Sequence, residues 1–224
     1  MTGNKDMQVK LILSDSYLFY LRNFHRIASL CLPFLFLDAF LESLFNRSEN
    51  LQALHWVSYV MIYPVYTAAL ILFMARSAGK EQAANMDIIA AALKLWWPFY
   101  LLTVIHLTLG AVGLFLFIVP GIWIIVRLSF AEYYLVLDGL NPLDAIRQSI
   151  ETTKPYFWYL LAFLVVTASG NGIADYLIGR AFHIENDISI LSIAANAAVS
   201  LIMLFFDVVL FRIFMEVVVE NSAE

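Results

Sequence analysis

Apolar residues fill six long runs of this chain, and most of the polar residues are confined to the gaps between them. The runs cover about 27–45, 54–75, 95–118, 122–137, 156–178 and 190–215. Each is near the ~20 residues a helix needs to cross the hydrocarbon core of a bilayer. The fourth is the shortest and carries Arg127 and Glu132. Pro120-Gly121 separates it from the third. Proline lacks an N–H and glycine tolerates positive φ, so the pair predicts a tight hairpin. The pattern predicts an all-α, polytopic membrane protein with six transmembrane helices.

The polar gaps are not featureless. In 7–26, Val9, Ile12, Leu13, Tyr17, Tyr20, Leu21 and Phe24 recur at helical spacing. Lys10, Asp15, Arg22, Asn23 and Arg26 lie largely off that face. Residues 1–26 are therefore expected to form an amphipathic segment in the membrane interface. They lack the basic-apolar-small order of a signal peptide. Gln82 to Leu95 is alanine-rich and weakly amphipathic. Between the fourth and fifth runs, Asn141 can cap a helix, Pro142 suits its first position and Asp144 falls at N3. Leu143, Ile146 and Ile150 share a face there, and Arg147 and Glu151 can pair at i,i+4. Three such segments each precede a pair of spans, and the joins Lys94-LWWPFYLL and Lys154-PYFWYLL look alike. This reads either as a three-unit repeat or as the ordinary appearance of six spans with amphipathic loops. Residues 27–215 make up the transmembrane domain and 216–224 a tail.

Charge sets the expected orientation. Lys5, Lys10, Arg22, Arg26, Arg76, Lys80, Lys94, Arg147 and Lys154 flank one side, and only Arg47 and Arg180 the other. The positive-inside bias puts both termini, the tail and the amphipathic segments in the cytoplasm. Trp96, Trp97, Tyr156 and Trp158 sit at that boundary, as interfacial aromatics do. Of the 224 residues 62% are hydrophobic and 14% charged, which excludes a soluble globular domain. A net charge of −5 offers no basic surface for nucleic acid. Cys31 is the only cysteine, so there is no intrachain disulfide and no cysteine-based metal site.

VPGIWIIVRLSFA from Val119, LVLDGLNPLDAIRQSIETTK after it, and Tyr20-Leu21-Arg22-Asn23-Phe24 resemble the YciC family of bacterial inner-membrane proteins. That family is similar to the membrane domain attached to some glycerophosphodiester phosphodiesterases. The resemblance implies a six-span protein of the bacterial cytoplasmic membrane. The phosphodiesterase catalytic domain has no counterpart here, so the resemblance carries over no activity.

Candidate chemistry rests on polar residues within the runs. An Arg or Asp at a span centre costs roughly 2.5–3.5 kcal/mol on insertion scales, so each requires a partner. Asp38 with Glu42, and Asn171 with Asp175, are i,i+4 pairs and share a helix face. Arg127 is the base expected to pair with one of these acids. His106 lies mid-span and Asn196 in the sixth run. Ala168, Ser169, Gly170, Gly172 and Ala174, with Ala194, Ala195, Ala197 and Ala198, are expected to bring the fifth and sixth spans together and hydrogen-bond Asn171 to Asn196. Glu132, Asp207 and Arg212 lie deeper. No HExxH, GxSxG or Walker A pattern occurs, and the cluster Arg180, His183, Glu185 and Asp187 reads as a solvated loop. The expected protein is not an enzyme and has no cofactor or metal. Its partners are membrane lipids, with a small amphiphile or lipid bound or moved by the cluster Asp38, Glu42, His106, Arg127, Asn171, Asp175 and Asn196. The alternative is a structural or partner-binding envelope protein whose polar residues only hold the bundle together.

Overall fold

The computed structural model describes residues 2–45, 51–79, 81, 83–182 and 190–222. Arg47, Lys80, Gln82, His183, Glu185 and Asp187 lie outside them. Among the described residues all regular structure is helical, and six stretches are long and apolar enough to cross a membrane. The protein is a multi-pass, all-α membrane protein.

The first helix, α1, runs Thr2–Phe45 without a break. The expected interfacial segment and the first span are one helix of 44 residues, roughly 65 Å at 1.5 Å per residue. Pro33 is its only internal proline and lies well beyond residue 26, so nothing turns the first segment flat onto the membrane. That segment packs instead on two later helices, α2 (Gln52–Ala78) and α9 (Ile190–Ser222). Tyr20 donates its hydroxyl to the Leu201 carbonyl at 2.6 Å, and the Phe19 and Phe73 rings lie 6.2 Å apart. The expected tail at 216–224 is an extension of α9 as far as Ser222, because no breaker follows Met215.

The amphipathic segments fold back against the bundle. In α3 (Asn85–Lys94), Ile88 and Ala92 are buried. Arg26 on α1 donates to the Ala83 carbonyl just ahead of it, and Asn85 donates to Ser29. Then α4 (Trp96–Leu116) begins beside the middle of α2, where the Trp96 indole donates to the Met61 carbonyl at 2.9 Å.

The fourth run is two helices, α5 (Ile118–Leu128) and α6 (Ala131–Leu137). The chain reverses at extended Phe117, not at Pro120-Gly121. Pro120 falls in the first turn of α5, where its missing N–H is harmless. Gly121 serves packing: a Cβ there would meet the Leu114 backbone N at 2.5 Å and Cα at 2.7 Å. Gly113 faces it, so α4 and α5 touch backbone to backbone.

The break at 129–130 leaves backbone groups for α7 (Pro142–Thr153) to satisfy. The Ser149 hydroxyl accepts from the Phe130 N–H at 3.1 Å and donates to the Arg127 carbonyl at 2.6 Å. The buried face of α7 is therefore Ala145, Ile146, Ser149, Thr152 and Thr153, and Leu143 is exposed. The cap forms as its spacing predicts: the Asn141 side chain accepts from the Asp144 N–H, and Pro142 opens the helix. The expected Arg147–Glu151 pair does not form. Arg147 meets Asp144 at 3.3 Å and Glu151 meets Lys154, both on exposed i,i+3 spacings. Gly139, at φ 65°, makes the turn between α6 and α7. The last hairpin is α8 (Phe157–Phe182) with α9.

Candidate functional site

The expected polar cluster is divided among separate places. Asp38 and Glu42 of α1 lie near His55 of α2, and Asp175 of α8 is within electrostatic reach of Glu42. Asp38 Oδ1 is enclosed without a hydrogen-bond partner. Arg127 is elsewhere and makes no ion pair among the described residues. Its guanidinium lies over the Trp123 ring at 5.2 Å and the Phe157 ring at 5.6 Å, and Nε and Nη1 are enclosed without partners. The aromatic faces supply the attraction that an acid was expected to supply. The reason is positional. Arg127 lies at the end of α5, where α7 and α8 pack, and its own carbonyl binds Ser149 and Thr153.

Asn171 and Asn196 do not hydrogen-bond to each other. Asn171 and Asp175 are exposed on α8, and Asn196 is half-buried. The small residues of α8 do not draw it onto α9. A Cβ on Gly172 would touch nothing within 4 Å, and one on Gly170 would meet only the Phe206 ring at 3.7 Å.

His106 belongs to a different group, one that sequence reasoning did not assemble. A cavity of about 190 Å³ lies between α2, α4, α5, α6, α8 and α9. Its polar wall holds Tyr63, His106, Glu132, Tyr133 and Asp207, with hydroxyls from Thr67, Ser129 and Thr167. Its apolar wall includes Leu70, Ile71, Met74, Phe163, Phe206 and Leu210. The Tyr63 hydroxyl reaches both Glu132 carboxyl oxygens, at 2.9 and 3.0 Å. One proton serves one oxygen at a time, so Tyr63 leaves the carboxyl with acceptor capacity to spare. The Asp207 carboxyl has no hydrogen-bond partner among the described residues, while its backbone carbonyl accepts from Tyr133 at 3.5 Å. Glu132 and Asp207 lie within each other's electrostatic reach, and no Lys or Arg lines the cavity.

Local structure explains the placement. Tyr59, Tyr63 and Tyr66 recur at helical spacing on α2, and their rings contact in sequence at 5.4 and 5.6 Å. Phe99 closes on Tyr63 at 6.2 Å. The turn at 129–130 rotates α6, so the Glu132 side chain faces α2 while the Arg127 side chain faces α8. The tyrosine spacing on α2 together with two unpaired acids in the fourth and sixth runs was the available signal. Glu132 lies five positions beyond Arg127, an offset that puts the two on different helix faces without saying which helices they meet.

An apolar cavity with a few convergent polar groups is the usual form of a small-ligand site. This one presents polar groups from α2, α4, α6, α8 and α9 to whatever fills it. No protein-family model, curated protein or solved structure matches the chain.

Proposed function

We propose that this chain is a non-enzymatic protein of the bacterial cytoplasmic membrane, of YciC type, that binds or moves a small amphiphile in the cavity between Glu132 and Asp207. The observation that carries this reading is that two carboxyls with acceptor capacity to spare share one largely apolar cavity. A headgroup that donates hydrogen bonds or carries positive charge complements that wall, and Leu70, Ile71 and Phe206 suit the first methylenes of its tail, since about 190 Å³ is too small for a whole long chain. The positive-inside bias supports cytoplasmic termini.

The test uses purified protein and three twelve-carbon amphiphiles that differ only in headgroup: an amine, an alcohol and a phosphate. Thermal unfolding is followed as each is added. The amine is expected to raise the midpoint most, and Asp207→Asn and Glu132→Gln to remove that rise. A midpoint indifferent to all three would sink the reading. One observation favours a structural role instead: the Tyr63–Glu132 bonds tie α2 to α6. That role gains if Glu132→Gln lowers the unfolding midpoint while amphiphile binding is unchanged.

A further inference from the structure

A second, larger cavity opens where α2 ends. It measures about 540 Å³ and lies between α1, the last turn of α2 and α9. Arg22 and Arg212 line it, with Asn23, Ser77, Phe19 and Asp15. Neither arginine has an ion-pair or hydrogen-bond partner among the described residues, and Asp15 is not within salt-bridge distance of either. The Arg212 guanidinium is held over the Phe19 ring at 5.4 Å. The Asn23 side-chain amide donates to the Phe19 carbonyl at 2.9 Å.

We infer that this groove binds the phosphate of an anionic phospholipid. Two unpaired guanidiniums from different helices line one groove, one of them held over an aromatic ring, and arginine matches phosphate oxygens geometrically. Depth fits as well. Ser77 is in the last turn of the span Ala53–Ala78, the level of lipid headgroups. The rim favours a lipid over free phosphate. Leu18 lines the groove and Leu11 lies two turns away on the same helix face, each more than 40% exposed, a rim suited to acyl chains. The amphipathic segment of α1 thus meets the membrane upright, as one wall of a headgroup site. Asp15 repels the phosphate and limits the site to one anionic group. This inference is independent of the cavity at Glu132.

The experiment is lipid retention by the full chain, purified from membranes and read by native mass spectrometry. Phosphatidylglycerol and phosphatidylcholine with identical acyl chains are offered together, with and without inorganic phosphate. Phosphatidylglycerol is expected to be retained preferentially. Arg22→Gln and Arg212→Gln should each weaken that retention on the order of tenfold. Arg180→Gln, at the end of α8, should leave it intact, and inorganic phosphate should not displace the lipid. If Arg212→Gln does not fold for want of its Phe19 contact, exposed Arg22→Gln carries the test alone. Equal retention of both lipids, retention unchanged in Arg22→Gln, equal loss in Arg180→Gln, or displacement by inorganic phosphate would each overturn the inference.

Discussion

Tyr63 and Glu132 are 69 positions apart in the chain and share the hydrogen bonds that close one side of the inner cavity. Removing the tyrosine hydroxyl leaves a carboxyl in an apolar wall with one donor fewer. An unsatisfied buried polar group costs about 1–3 kcal/mol, and more when it is charged. Tyr63→Phe is therefore expected to destabilise the fold by about 1–3 kcal/mol in reversible unfolding. Tyr66→Phe should cost less, because the Tyr66 hydroxyl has no hydrogen-bond partner among the described residues and its ring contact with Tyr63 survives. Equal losses in the two variants would show that the rings, not the hydrogen bond, do the holding. Arg127 shows the same dependence on surroundings. Chain position singled it out as a base in need of an acid, but its neighbours are Trp123 and Phe157.

Helix contacts turn on glycine placement. Gly121 permits α4 and α5 to approach to backbone contact, whereas Gly172 on α8 faces open space. Adding a methyl group at Gly121 forces the Leu114 backbone to move. Overpacking of that kind costs typically 1–3 kcal/mol, so Gly121→Ala is expected to lower stability by about that much. Gly172→Ala should instead be neutral or raise stability by about 0.5–1 kcal/mol, because alanine is the better helix former and nothing obstructs it. Parallel thermal unfolding of the two variants checks this, and a comparable loss at Gly172 would mean that α8 packs closely at that point as well. The small residues of 168–174 looked like the site of close approach because composition reports permission to pack, not the partner. Similarly, Pro120-Gly121 was recognisable as a break, but its role depends on where α5 starts. With Ile118 as the first helical residue, proline falls in the opening turn and glycine on the face toward α4. The cap at Asn141 was legible in full, since capping needs only residues three positions apart.

If all six candidate spans cross, an even number, the two ends of the chain return to one side of the membrane. With the basic flanks 9 to 2 in favour of the end holding both termini, that side is expected to be the cytoplasm. Reporter fusions at residue 1 and residue 224 should both show cytoplasmic exposure. A terminus on opposite faces in the two fusions would remove one of the six crossings, and α5 with α6, broken at 129–130, would be the first to doubt.

Fold class and the number of candidate spans are contained in hydropathy and length, because a bilayer demands about 20 apolar residues per crossing and satisfied backbone groups throughout. Local devices such as the α7 cap are also contained there, since their partners are neighbours in the chain. The polar constellation was not. Asp38, Glu42, Arg127, Asn171, Asp175 and Asn196 share a hydropathy profile, yet pairing depends on the rotation of each helix about its axis and on the turn at 129–130. Those follow from contacts such as Gly113 on Gly121 and Ser149 on the Arg127 carbonyl, which join residues far apart in sequence. Only in three dimensions do Glu132 and Asp207 come to one cavity, and Arg22 and Arg212 to another, because side-chain direction, unlike hydrophobicity, is decided by what each helix packs against.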